Sequence, residues 1–293
     1  MRKMTKRLRI VALCLLIGFV ALEWCCRSVL GLGDPPLSVA HPTIEYMLKP
    51  NGSYRRFGNS FKTNRYGMRS ADMLPRKSGP EIRILVLGDS VPNGGGLTDQ
   101  DELATEIIKR TLAGKLAVPV AVGNISSGSW SPPNLLAYIR EYGTFEADVA
   151  VVVLNRGDLN DFPTFEPLNP NTHPTRRPFT ASGEFLVRYC WERGVRALGA
   201  RDHLSGVSAV EDTEPTCLPE LSALVGELRE QGCSTMILYH PTRDELDADG
   251  VFQPRQAFTI LKSFCASHAI PFFSVAGRYG VAVREGRSLY RDT

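Results

Sequence analysis

The chain has 293 residues, 43% of them hydrophobic and 22% charged, which suits one globular domain with a sizeable core and some decoration. Its 34 basic and 31 acidic residues leave a net charge of +3, and Arg2, Lys3, Lys6, Arg7 and Arg9 crowd one end, so the remainder is close to neutral. With no basic stripe and no zinc-finger spacing in that remainder, the composition argues against a nucleic-acid partner.

The N-terminus reads as a targeting element. Five basic residues precede an unbroken apolar run from Ile10 to Leu22, and Glu23, Trp24, Cys25, Cys26 and Arg27 follow it. A run of 13 residues is typical of a signal-peptide core and shorter than the roughly 20 residues of a bilayer span. Extended to Leu32 it reaches that length, with Glu23 and Arg27 near one end, where they can snorkel to the interface. No small-residue cleavage site follows cleanly, which favours a signal anchor over residues 1–32; a cleaved signal and a secreted domain are the alternative. Both place the domain on the extracytoplasmic side. Cys25 and Cys26 lack the preceding small residue that a lipidated cysteine needs. Cys190, Cys217, Cys233 and Cys265 are compatible with disulfides after export and equally with small buried hydrophobes.

Residues 33–80, punctuated by Pro35, Pro36, Pro50, Gly52, Gly58 and Gly67, read as a linker or N-terminal extension with some local order. From Arg83 the pattern changes. Ile84 to Leu87 form a short continuous apolar run ending at Gly88, as a buried parallel strand would. Similar runs recur at 118–122, 149–154, 235–239 and 270–275. Helical patterns over 101–115, from Pro133, over 218–231 and from Pro254 separate most of them. Strands alternating with helices predict an α/β fold: a doubly wound parallel sheet over residues 81–293 with ligands at the carboxyl ends of its strands. Residues 158–217 interrupt the alternation with a Pro-rich stretch, predicted to be an inserted cap over the site.

Those strand ends carry the polar residues of interest. Gly88-Asp89-Ser90 follows the first strand, and Gly94 to Gly96 lead on towards the first helix. Gly123-Asn124-Ile125-Ser126-Ser127-Gly128-Ser129-Trp130 follows the second, Asn155-Arg156-Gly157-Asp158-Leu159-Asn160-Asp161 the third, and Asp292 stands near the end. In order and spacing, residues 82–292 resemble the SGNH/GDSL-type hydrolases, serine esterases and acyltransferases with a three-layer α/β/α, flavodoxin-like fold. Those proteins carry Gly-Asp-Ser after the first strand, an Asn-x-x-x-x-Gly-like loop after the second, a Gly-x-Asn-Asp-like loop after the third and a late Asp-x-x-His.

The resemblance implies that Ser90 Oγ attacks an ester carbonyl and that the backbone amides of Ser90 and Gly128 stabilise the oxyanion, which needs preorganised donors. Strict counting from Asn124 selects Ser129 rather than Gly128. The family's third donor is an asparagine. A gap-free register places Asp158 there, while Asn160-Asp161 supplies the dipeptide two residues late. An ionised Asp158 would repel an oxyanion, so Asn160 donates, or Asp158 is protonated or has another task. Asp292 matches the aspartate that orients the catalytic histidine, and the histidine expected three residues later falls beyond Thr293. The sequence is then a fragment, or a degenerate hydrolase, or one in which another histidine substitutes. His240, after the fourth strand, is the best substitute and equally a substrate contact or a strand cap.

His41, His173, His203 and His268 read as surface or loop residues, and Trp130 as a pocket wall or a core plug. The basic-aromatic stretches Arg55-Arg56-Phe57 and Asn64 to Arg69 read as a headgroup- or glycan-facing patch or as a solvated turn. No cluster has metal-ligand spacing, and no cofactor is implied. The resulting expectation is a membrane-tethered serine hydrolase or acyltransferase acting on a small-molecule or carbohydrate ester. The alternative is a degenerate relative that binds a glycan or a partner.

Overall fold

A computed structural model of the protein describes residues 2–191 and 215–287. Helix α1, Arg2–Ser28, is followed by two antiparallel hairpins, β1 (Ser38–His41) with β2 (Glu45–Leu48), and β3 (Ser53–Arg56) with β4 (Asn59–Lys62). The α/β part then runs β5 (Ile82–Gly88), α2 (Ser90–Asn93), α3 (Ala104–Ala113), β6 (Val120–Ser126), α4 (Pro132–Tyr142) and β7 (Val149–Leu154). It continues with α5 (Ala181–Glu184), which passes into a π-helical turn to Trp191, then α6 (Leu218–Glu230), β8 (Ser234–Tyr239), α7 (Gln256–Ser267), β9 (Phe272–Ser274) and α8 (Ala276–Arg284). Strands β5 to β9 form one parallel sheet in the order β6-β5-β7-β8-β9. This is the doubly wound 2-1-3-4-5 order, whose switch point lies beside the first strand.

The continuous apolar runs exist because both faces of the sheet are covered. On β5, Leu85 and Leu87 point into the larger core with Leu135 and Ile139 of α4 and Leu221, Leu224 and Leu228 of α6. Ile84 and Val86 point the other way, to a smaller cluster with Val120, Val122 and Val153, against which Ile108 and Leu112 of α3 pack. Truncating Leu85 or Leu221, each 0% exposed, to alanine costs about 2–5 kcal/mol. Helix α4 starts sharply because Ser131 and Asn134 form a capping box around Pro132.

Several elements differ from the sequence reading. The stretch 33–80 holds the two hairpins, and Ile44, Tyr46 and Met47 of the first belong to the main core together with Met68 and Met73; short strands dense in polar residues carry too little periodicity to reveal this. Strand β6 runs on through Asn124 to Ser126, because the Asn124 amide finds the Pro92 carbonyl (2.8 Å) and can be buried without penalty. The fifth strand is only three residues long and gives way at once to α8. The basic-aromatic stretches are not a surface patch: Arg56 and Arg69 are buried, while Arg65 pairs with Asp72 in solvent.

Helix α1 contains an apolar span, Lys6–Ser28, of 23 residues, about 34 Å long at 1.5 Å per residue and so matched to a hydrocarbon core of about 30 Å. It is the one helix among the described residues long and apolar enough to cross a membrane.

Candidate active site

The sheet register brings the strand-end residues to one line. Gly88 lies opposite Ser126, Leu87 opposite Val152, and Leu154 opposite Tyr239. Continued by three residues from Leu87 and by one from Leu154, that register sets Ser90, Asn155 and His240 at one level along the carboxyl edge. Ser90 is exposed there, and its neighbours Gly88 and Asp89 are buried. Asp89 caps α2, its Oδ1 accepting the Val91 N–H (2.9 Å), which turns the chain so that the serine hydroxyl faces out.

Beneath Ser90 lies a buried polar cluster. Asn155 donates Nδ2–H to Asp89 Oδ2 (3.0 Å), and its backbone N–H donates to Asp158 Oδ2 (2.8 Å). Burial, and then the neighbouring Asp89, push the Asp158 carboxyl well above the usual range. Burial also pushes Asp89 up, against the opposing pull of His240. His240 is buried and its imidazole is pushed below the ordinary value by desolvation, which Asp89 partly offsets. Its Nε2 has no hydrogen-bond partner. His240 thus interacts with Asp89 and is not bonded to Ser90. The backbones of Ser90 and His240 are two strand spacings apart, about 10 Å.

On the far side of β5, Asn93 Nδ2 donates to the Ser126 carbonyl (2.9 Å), tying α2 to the loop after β6. In that loop the Gly128 carbonyl accepts the Tyr46 hydroxyl and a hydrogen bond from the His173 ring, and the Tyr46 and His173 rings lie 4.1 Å apart. A trans peptide holds C=O and the next N–H antiparallel, so this clamp aims the Ser129 N–H away from Tyr46 and His173. Ser129 has φ 59°, a left-handed conformation that is costly for a non-glycine residue and persists where surroundings enforce it. Beside the loop is a cleft of about 210 Å³, lined by Tyr46, Ser129, Asp161, Phe162, Leu168 and His173 among others.

The Gly-rich segment after α2 is held by Arg69. Its guanidinium donates to the carbonyls of Asn93, Gly95 and Thr98 (2.6 Å each) and of Ser60 (3.3 Å), and lies 4.0 Å from the Phe61 ring centroid. Burial lowers its pKa to about 10, still protonated at neutral pH.

The other sequence candidates fall as follows. Asn160 does not face the edge cluster through its carbonyl: Oδ1 accepts the Thr216 N–H and hydroxyl (3.0 Å each) and ties the end of the insertion to the loop after β7. Trp130 is a core plug, 2% exposed, donating Nε1–H to the Tyr46 carbonyl (3.0 Å). His173, read as a loop residue, is half-buried against Gly128, whereas the imidazole rings of His41 and His268 hydrogen-bond only near neighbours and lie off the site. Asp292 and His203 lie outside the described residues. Cys217, Cys233 and Cys265 are buried free thiols, and no disulfide is present among the described residues. Sequence reasoning missed Asn155, Tyr46 and Arg69. Asn155 was findable, since it is the first residue after the third strand and so level with Ser90 and His240. Tyr46 and Arg69 gave no signal, because their partners are distant in sequence.

Several solved structures share parts of this architecture at low similarity. They include the SGNH-hydrolase family esterase AlinE4 (15% identity, 74% of this chain and 88% of that one, TM-score 0.39) and an acetylxylan esterase from Geobacillus stearothermophilus (12%, 69% and 80%, TM-score 0.37). A lipase/acylhydrolase from Enterococcus faecalis matches at 13%, over 67% and 77%, with TM-score 0.36. No family model and no curated protein matches the sequence. The sheet has the doubly wound 2-1-3-4-5 order, with the Gly-Asp-Ser turn at the end of its first parallel strand, as the SGNH-type resemblance of the sequence implies; the distant likenesses say nothing of activity. The second and third motif loops flank Ser90 from β6 and β7, and among the described residues no group of His, Cys, Asp or Glu is arranged to hold a metal ion.

Proposed function

We propose that the protein is a serine hydrolase or acyltransferase that cleaves an ester through Ser90, held by its N-terminal helix at the outer face of a membrane. The observation that carries this reading is the exposure of Ser90 on a capped turn at the carboxyl edge, with a conformationally enforced backbone amide, that of Ser129, on the neighbouring loop. In this reaction the Ser90 oxygen bonds to the ester carbonyl carbon, the C=O π pair moves to oxygen, and the oxyanion is received by the N–H groups of Ser90 and the 128–129 loop. Collapse expels the alcohol and leaves an acyl-Ser90, which water or a second alcohol then attacks.

The upward push on the Asp158 carboxyl supports the same reading, because it favours the neutral form, which does not repel the developing charge. The Ser90 proton needs a base. Of the described imidazoles His240 alone stands at this edge, neutral and with Nε2 unpaired, the state from which a general base starts. The cleft beside Ser129 supports an acyl group on a polyol or carbohydrate: Asp161 and Glu166 line it beside Tyr46 and Phe162 and can accept hydrogen bonds from substrate hydroxyls.

The absence of a bond between Ser90 and His240 favours the alternative, a glycan- or partner-binding protein without turnover. Hydrolysis of a short-chain aryl acetate by the full chain in detergent decides between them. The hydrolase reading expects release of the phenol that disappears with Ser90→Ala; equal rates in both proteins would transfer the case to the binding reading.

A further inference from the structure

The polar end of helix α1 is built into the domain. The Glu23 carboxylate accepts the N–H groups of Ala181 and Ser182 (2.9 Å each) and the Ser182 hydroxyl (2.8 Å), occupying the amino end of α5 from 158 residues away. Arg27 donates to Glu23 (2.6 Å) and to the Phe179 carbonyl (3.4 Å). Cys26, Leu32 and Ala181 close a small core on which Phe185 and Tyr189 pack. From the same turn, Glu184 accepts the Gly33 N–H (2.7 Å) and the buried Arg56 guanidinium of β3. Glu23 and Arg27 therefore do not simply snorkel into solvent. The last turns of α1, the segment 179–191 and the second hairpin are joined by buried contacts, and removal of α1 would leave two amides and a hydroxyl of α5 without their acceptor.

That junction fixes the height of the segment relative to the span. Phe179 is level with Arg27, on the last turns of the apolar window Lys6–Ser28. It is 99% exposed, and Leu186 and Val187 on the same short helical stretch are 53% and 58% exposed. Trp24 and Val29 of the α1 end are 66% and 60% exposed. Large apolar side chains so placed are unfavourable in water and suited to the headgroup and acyl boundary, where aromatic residues partition. Arg176, exposed three residues before Phe179, adds a cation at headgroup level. Resting on the reading of α1 as a retained membrane span, we infer that the segment Phe179–Val187 is a second membrane contact: it dips into the outer boundary of the bilayer that α1 crosses and seats the domain on the lipid surface in a fixed orientation.

The test places a benzoylphenylalanine photo-crosslinker at Trp24, at Phe179 or at Val187 in the full chain, reconstituted into vesicles of phosphatidylcholine and phosphatidylglycerol. Both Phe179 and Val187 are exposed, so these substitutions leave the core intact. The expected result is covalent capture of phospholipid at 179 and 187 in yield comparable with 24, and a severalfold loss at 179 and 187, with position 24 unchanged, when Glu23→Ala releases α5. Lipid capture at 24 with none at 179 or 187 overturns the inference while leaving the membrane span in place. Capture at none of the three overturns the span itself, and a cross-linked dimer in place of lipid at 179 assigns the surface to a second copy of the chain.

Discussion

Asp158→Asn is the sharpest probe of the buried cluster. In the folded protein burial, and then Asp89, push the Asp158 carboxyl well above its ordinary range, whereas in the unfolded chain it ionises near pH 3.9. Above that pH the folded state carries one more proton than the unfolded state, so this group's contribution to stability falls as pH rises, by about 1.4 kcal/mol per pH unit, until the folded carboxyl itself titrates. Asparagine has nearly the same shape and can still accept the Asn155 N–H through its carbonyl oxygen, but has no proton to hold. The variant therefore gains stability over the parent with that slope, starting near pH 4. Denaturant unfolding of both proteins between pH 4 and 8 reads the difference directly, because the other titrating groups largely cancel. A difference that is flat across this range would refute the protonated state, and with it the argument that Asp158 is harmless to an oxyanion.

Arg69→Met keeps the aliphatic stem but strips four carbonyls of their donor, so it should cost about 3–5 kcal/mol in denaturant midpoint times m-value and loosen residues 93–98. Tyr46→Phe removes one of the two donors on the Gly128 carbonyl; we expect kcat to fall about tenfold with KM little changed, a loss of about 1.4 kcal/mol in transition-state stabilisation. A rise in KM alone would make Tyr46 a cleft wall only. His240→Asn should abolish the acid limb of the kcat profile. Because burial places the His240 pKa below the ordinary 6.5, that limb lies on the acid side of this value in the parent protein, activity being lost as pH falls through it. An unchanged profile would place the base outside the described residues.

The parts of this molecule legible in its sequence are those set by local pattern. The run Ile84–Leu87 announces itself because both faces of β5 are buried, and the Gly-Asp-Ser turn because it directly follows that run. The parallel, doubly wound sheet follows from strands alternating with helices. Contacts between distant segments were not legible. Tyr46 and the Gly128 carbonyl are 82 residues apart, Arg69 looked like a surface cation until its four carbonyls were in place, and Glu23 looked like a snorkelling charge until Ala181 and Ser182 met it. The polar hairpins of residues 38–62 were read as linker for the same reason. Their burial depends on a core supplied by the rest of the chain. Asp158 lies between these cases, since the sequence posed the question of its charge and the burial around it gives the direction in which its carboxyl shifts.

The claim on which the account turns is that Ser90 is a nucleophile. Incubation of the full chain with an alkyl fluorophosphonate, followed by peptide mass mapping, tests it most directly, because the reagent phosphonylates an activated serine and is inert towards ordinary ones. One adduct is expected, on the peptide carrying Gly88-Asp89-Ser90, prevented by prior unfolding. A folded chain that takes up no reagent at Ser90, or takes it up at another serine, would contradict it.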